Sequence, residues 1–304
     1  MINSDFVVWN GSNVNQIGGK AANLNVIQRH SLPVPPFFVV TTAAFHTQLS
    51  TMGLTLDMHP DSRLNPSELM CKSQVDPAVE GALHRAYARL IGESACDIVA
   101  VRSSAIGEDA LGSSFAGQFT SVLGVPDERA LVDAVKRCWS SAFSSRLFAY
   151  RKSHGMLRNP DLALIIQQQI FPKVSGVLFT VHPISKHIDT IYIEANFGTG
   201  ESVVSGISTP DSYEIDRQSK TIKRRLVRDK KWMTEVGKGR VAVPRLFADQ
   251  STLTDSQVRQ VCDMALQVES IFGVPQDIEW SFDEKVLWIL QARPVTAYAG
   301  SRRI

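Results

Sequence analysis

Apolar residues recur along this chain with two periods, one near 3.6 and one of 2. From Glu128 to His154, Leu131, Val135, Trp139 and Ala142 fall at helical spacing, and Gly155 follows as a natural C′ residue, so the segment reads as one helix. Helical period returns over Asp255 to Phe272 and stops at Gly273. Leu24 and Ile27, three apart, place a short helix after Gly18-Gly19, which sets Lys20 near its start. Phe37-Phe38-Val39-Val40 reads as a strand, and Thr41 or Thr42 caps a helix through Ala43–Ser50. Shorter β-rich runs, Asp97 to Val101, Leu164 to Ile170, Gly176 to Thr180, Thr190 to Glu194 and Ser212 to Ile215, predict a mixed sheet. Between Thr51 and Pro77 the chain is polar, holds three prolines and lacks a period, so a long and mobile surface excursion is expected.

The last two runs, Asp277 to Phe282 and Val286 to Gln291, read as a hairpin. Ile278, Trp280, Phe282, Val286, Trp288 and Leu290 are apolar and even-numbered, which makes the even positions the core face. With Asp283-Glu284-Lys285 as the turn, paired positions sum to a constant 568, placing Glu279 opposite Ile289 and diagonal to Gln291. Glu279, Gln291 and Arg293 then share the non-core face, and a slip of one residue would separate them.

Composition narrows the class without naming a function. The 304 residues, 44% apolar, suffice for one large or two modest domains. A net charge of +2 makes no case for nucleic acid or a membrane surface as partner. Cys71, Cys96, Cys138 and Cys262 have no C-x-x-C spacing, which argues against a disulfide framework or a zinc site and suits a reducing cytoplasm. The first residues lack a basic and then apolar leader pattern, and no run approaches the roughly 18 apolar residues of a membrane span. A soluble, cytoplasmic protein is the expectation. The basic stretch Lys220 to Lys231 is read as an exposed hairpin or loop face.

Two familiar phosphate motifs fail. Gly18-Gly19-Lys20 lacks the P-loop's first glycine and its hydroxyl residue, with Val14 and Ala21 in those places, and Gly198-Thr199-Gly200 lacks the third glycine of a dinucleotide fingerprint, with Val203 there. A longer ordered set of segments does match a family. These are Gly18-Gly19-Lys20-Ala21-Ala22-Asn23-Leu24, Val101-Arg102-Ser103-Ser104-Ala105 through Ser114-Phe115-Ala116-Gly117-Gln118, and Ser175-Gly176-Val177-Leu178-Phe179-Thr180. Gly200-Glu201-Ser202-Val203-Val204-Ser205-Gly206 with Pro210-Asp211, then Gln276-Asp277-Ile278-Glu279-Trp280 and Leu290-Gln291-Ala292-Arg293-Pro294, complete it. In this order they resemble the ATP domain shared by phosphoenolpyruvate synthase, pyruvate phosphate dikinase and rifampin phosphotransferase.

The resemblance implies an α/β (α+β) ATP-grasp fold of two lobes, 1–188 and 189–304, with ATP held between them. Phosphoryl transfer asks a protein mainly to position phosphates and neutralise their charge. By resemblance Lys20 acts as a point charge and Arg102 as a two-oxygen fork on the triphosphate, and Arg293 stabilises the phosphate in transfer. Glu279 and Gln291 supply the one carboxylate and one amide oxygen that Mg2+ needs beside phosphate and water. The segment Ser114 to Gln118 closes over the phosphates, with Gly117 allowing close backbone approach. Gln168 stands for the adenine and ribose side, although Gln167 and Gln169 are equal alternatives, and Glu201 is either a ribose ligand or solvated. The bland alternative for Lys20 is a solvated surface lysine, for Arg102 a surface salt bridge, and for Arg293 a partner for Glu279.

In the family, phosphate passes to a histidine on a mobile carrier domain, a motif this chain does not contain. The expected function is an ATP- and Mg-dependent kinase acting on a small-molecule acceptor. The alternatives are the ATP-binding subunit of a split enzyme serving a separate phosphohistidine carrier, and a non-catalytic nucleotide-binding module.

Overall fold

The computed structural model describes residues 5–60, 65–93, 96–107, 119–153, 159–185 and 187–295. The chain divides into two compact units, one of residues 1–25 and 36–169, the other of 26–35 and 170–304. The break at Gln169/Ile170 comes earlier than the expected 188/189, because the strand that follows it, Val174–Phe179, pairs inside the second unit's sheet.

The first unit is built on a five-stranded sheet of β1 (Val7–Val8), β2 (Phe37–Val40), β3 (Val99–Ala105), β4 (Ser121–Val125) and β5 (Leu162–Gln168), ordered β1-β2-β5-β3-β4. Every pairing is antiparallel, not mixed as expected. Its helices are α1 (Val14–Arg29), α2 (Thr42–Thr51), α3 (Pro66–Lys72), α4 (Pro77–Gly92), α5 (Glu128–Ser140) and α6 (Ser145–Ser153). Phe38, Phe45, Trp139 and Phe143 are buried at the centre of its core, with the Phe45 and Trp139 rings 5.8 Å apart.

Two expectations change here. The segment 51–77 is no bare excursion: Asn65 caps α3 by accepting the Glu68 N–H at 3.2 Å, and Leu54, Leu56, Met70 and Val75 are buried. Its few apolar residues dock singly into the core, too sparse to show a period. The single helix expected over 128–154 is broken at a short 3-10 turn, Ser141–Phe143. The Ser140 and Ser141 hydroxyls donate to carbonyls three residues back, at 2.8 and 2.6 Å, and Ser144 is extended, so local serine bonds compete with the helix.

The second unit carries a six-stranded antiparallel sheet ordered β13-β12-β6-β7-β8-β9. The strands are β6 (Val174–Phe179), β7 (Thr190–Phe197), β8 (Asp211–Asp216), β9 (Ile222–Leu226), β12 (Gln276–Phe282) and β13 (Leu287–Pro294). A separate hairpin, β10 (Trp232–Glu235) with β11 (Gly239–Ala242), and the one-turn α7 (Glu201–Val204) complete it with α8 (Asp255–Phe272). α8 has the expected bounds because both ends are coded locally: Thr254 and Gln257 form a reciprocal capping box, and Gly273 is left-handed at φ 67°. It lays Val258, Val261, Ala265 and Val268 against the sheet, packing on β12 and β13. Ile278, Leu178, Ile193 and Tyr213 form one cross-strand row beneath it, all fully buried or nearly so. Gly176 leaves room there for Trp280, since a Cβ at 176 would lie 2.6 Å from the indole Cζ2.

The basic stretch is not wholly exposed. Lys230 is completely buried, its Nζ donating to Asp211 Oδ1 and to the Arg228 carbonyl, both at 2.8 Å. Among the described residues no helix is long and apolar enough to cross a membrane.

Candidate functional site

In the first unit, α1 is kinked at Gly18 (φ 76°, ψ 166°), and the helix resumes through Lys20. The kink presses the backbone against β3: a Cβ on Gly18 would lie 2.1 Å from the Ser104 carbonyl oxygen. Ser104 Oγ accepts the Ala21 N–H at 3.1 Å. Lys20 is therefore tethered beside the C-terminal end of the strand that carries Arg102. On β3 the core-facing Val99, Val101 and Ala105 alternate with Arg102 and Ser104, and Arg102 is the one half-exposed residue of the strand. Its cross-strand neighbour on β4 is the exposed Ser121, a polar residue on the same face that sequence reasoning passed over.

Gly18→Ala should cost about 2 kcal/mol, from a left-handed backbone plus a carbonyl contact that cannot relax. Gly53 has a similar φ of 66° but open space around it, so Gly53→Ala isolates the backbone part. Urea unfolding of the two variants checks this, the Gly18 variant being the less stable.

The three glutamines separate. Gln169 is 7% exposed and its Oε1 accepts the Gly124 N–H at 3.1 Å, while Gln167 is buried. Gln168, last in β5, is half-exposed. Ser114, Gly117 and Gln118 lie outside the described residues.

The β12–β13 hairpin brings the other candidates together in a register different from the expected one. Paired positions are Asp277↔Arg293 and Glu279↔Gln291, then Trp280↔Ile289 and Phe282↔Leu287. Leu290 is an extra residue, a β-bulge on β13, and the turn is one residue longer than expected. Asp283 shapes that turn by accepting N–H groups from Lys285 and Val286, each at 2.7 Å. The longer turn and the bulge together move the pairing sum from 568 to 570 at Glu279. Glu279 thus stands directly opposite Gln291, not diagonal to it. The longer turn reverses the parity of the core face at the start of β13, so Ile289 is buried in place of Trp288, and the bulge at Leu290 restores the even parity at Ala292.

Following the register across the sheet, Gln291, Glu279, Val177, Glu194 and Ser212 make one row on the face away from α8, and Arg293, Asp277, Phe179, Tyr192 and Glu214 the next. Most of this face is half-exposed and polar, Val177 and Phe179 being its apolar members, while Gln291 and Asp277 are buried. Arg293 is held by Asp277, with Nη2 and Nε at 2.7 and 2.8 Å from Oδ2. Asp277 is thus a carboxylate partner of Arg293 that no local pattern in the sequence announces. Burial raises the Asp277 carboxyl above its ordinary range, outweighing the lowering by Arg293.

A third row on this face, Ser281, Ser175 and Asn196, is buried where α7 and β10 come over it. Glu201, the first residue of α7, is exposed at that end. A hard divalent cation suits the pair that the hairpin juxtaposes, since Glu279 and Gln291 offer one carboxylate and one amide oxygen from opposed positions.

Residues 14–303 match the family model of the pyruvate phosphate dikinase AMP/ATP-binding domain. The chain belongs to this family. Among its relatives, a probable phosphoenolpyruvate synthase of Archaeoglobus fulgidus is 34% identical over 94% of this chain and 40% of its own length. A rifampicin phosphotransferase of Streptomyces sviceus is 33% identical, over 94% and 35% respectively. The prodigiosin synthesizing transferase PigC of Serratia marcescens is also 33% identical, over 93% and 32%. The chain thus spans less than half the length of these relatives. The solved D-alanine-D-alanine ligase of Coxiella burnetii aligns over 91% of the chain and 47% of its own, at 10% identity and a TM-score of 0.37. As a member of this family, the chain has the expected mixed helix-and-sheet class of fold and matches an AMP/ATP-binding domain.

Proposed function

We propose that this domain binds ATP with Mg2+ and catalyses phosphoryl transfer to a small-molecule acceptor. The observation that carries the reading is the opposition of Glu279 and Gln291, with Arg293 two residues along on the same face. Glu279 and Gln291 would hold the cation, which when bound neutralises phosphate charge. Arg293 would place its guanidinium on the phosphate being transferred; the Asp277 carboxylate fixes the fork's orientation beforehand, which lowers reorganisation during the step. Lys20 and Arg102 would grip the remaining phosphate oxygens, and Ser114, Gly117 and Gln118 would exclude water over them. Gln168 would face the base and Glu201 the ribose hydroxyls.

A second reading has phosphate pass first to a histidine on a separate carrier protein. It is supported by the greater length of the relatives, of which the chain covers 40% and 35% in the synthase and the rifampicin enzyme.

The test is to incubate the purified chain with ATP, magnesium and a metabolite extract, and to follow nucleotides and new phosphorylated species by mass spectrometry. Acceptor-dependent release of ADP or AMP, lost in Glu279→Ala, supports direct transfer. Tight ATP binding without turnover, relieved by an added phosphohistidine carrier domain, supports the second reading. No ATP binding at all would refute both.

A further inference from the structure

We infer that Thr234 on β10 is a positioning residue for nucleotide recognition, because it fixes the loop that presents Glu201 to the ribose hydroxyls. This rests on the proposed role of Glu201 and goes beyond it by naming what holds that carboxylate in place.

The loop Gly198–Gly200 joins β7 to α7, and its contacts to Thr234 are unusually dense. Gly198 bridges Thr234 in parallel sense, and the Thr199 N–H donates to the Thr234 carbonyl at 2.8 Å. The two threonine hydroxyls lie 2.6 Å apart, and the Thr234 hydroxyl also lies 3.3 Å from the Thr199 carbonyl. One orientation satisfies all of it: the Thr234 hydroxyl donates to the Thr199 carbonyl and accepts from the Thr199 hydroxyl. Gly198 sits at φ 73°, where a Cβ would be 2.2 Å from the Thr234 carbonyl, so the backbones meet as closely as glycine permits.

A second clamp works from β7. Asn196 Nδ2 donates to Ser202 Oγ and to the Trp232 carbonyl, both at 3.0 Å, and Ser202 Oγ donates to the Thr199 carbonyl at 3.2 Å. Asn196, Thr199, Ser202 and Thr234 are all nearly or wholly inaccessible, at 0%, 6%, 0% and 2% exposure. Glu201, the one charged residue of the segment 198–204, faces solvent between Gly200 and the buried Ser202. A buried, internally satisfied polar network has one arrangement, and losing one member leaves others orphaned. Such a network around one exposed carboxylate pre-orders it for a ligand, removing an entropic cost from binding. Thr234 itself is too buried to touch a nucleotide, so its effect must pass through the loop.

The experiment is calorimetric titration of the whole chain with ATP and with 2′,3′-dideoxyATP, each with magnesium. Wild type should favour ATP by roughly tenfold, the size expected for hydrogen bonds to a carboxylate. Glu201→Gln should bring the ratio near one. Thr234→Val, which keeps the branched shape and removes the hydroxyl, should do the same, while Thr234→Ser restores the preference. Thr199→Val, deleting the other hydroxyl of the pair, carries the same expectation and stands in if Thr234→Val does not fold. If Glu201→Gln keeps the wild-type ratio, the ribose reading fails and the positioning role with it. If Glu201→Gln abolishes the preference but the hydroxyl deletions leave it, or weaken both nucleotides equally, only the positioning role is overturned.

Discussion

Asp211→Ala should unfold the chain at the lowest denaturant concentration of any polar substitution in the second unit. Breaking a buried ion pair by removing one partner costs about 3–5 kcal/mol, because the other charge stays buried without compensation. Both side chains here are fully inaccessible. Asp211 does more than pair with Lys230: Oδ1 also accepts the Arg228 N–H and Oδ2 the Thr252 N–H, each at 2.8 Å. Alanine at 211 therefore leaves a buried ammonium with the Arg228 carbonyl but no counter-charge and orphans two main-chain donors, whereas Lys230→Met leaves a carboxylate with two of its hydrogen bonds. The order of stability by urea unfolding should be wild type, then Lys230→Met, then Asp211→Ala. Equal losses would mean that the main-chain bonds contribute nothing.

Arg293→Ala should lower turnover by about 10²–10³-fold, the loss measured when a charge-stabilising donor is removed from a transition state. It should also cost stability, because Arg293 compensates Asp277. The sign follows from burial holding the Asp277 carboxyl above the ordinary carboxylate range. The folded state then holds that proton more tightly than the unfolded state, so this group's contribution to stability is greatest at acid pH. It falls as pH climbs from the ordinary carboxylate value through the raised one. Without Arg293 the rise is larger and the window extends to higher pH. Thermal melts across pH should show this decline in Arg293→Ala and lose it in Arg293→Ala/Asp277→Asn; a flat profile in the single variant would refute the coupling.

What was legible in the sequence was whatever is coded within a few residues. The bounds of α8 follow from Thr254, Gln257 and Gly273, all at its own ends. That Glu279 and Gln291 share a face was anticipated from alternation, though their register was not, since one extra turn residue and one bulged residue at Leu290 each shift the pairing without altering composition. The break at Ser141 was hidden because serine hydroxyls bonding backward leave the apolar spacing intact. Lys230 looked like one more cation in a basic run because its partner is nineteen residues upstream. The choice among Gln167, Gln168 and Gln169 needed the β5 faces and the Gly124 contact, which no local pattern announces.

The sheet of the second unit ends at β9, and an outermost strand is a standing invitation to further strands. β9 presents Lys223, Arg224 and Arg225 in succession, each tied to an acidic residue of its own unit: Asp216, Glu214 and Asp255. A foreign strand docking there would have to strip water from three adjacent cations while gaining only main-chain bonds. The basic run read as an exposed face thus serves as a guard against edge-to-edge aggregation, and neutralising it would trade solubility for self-association.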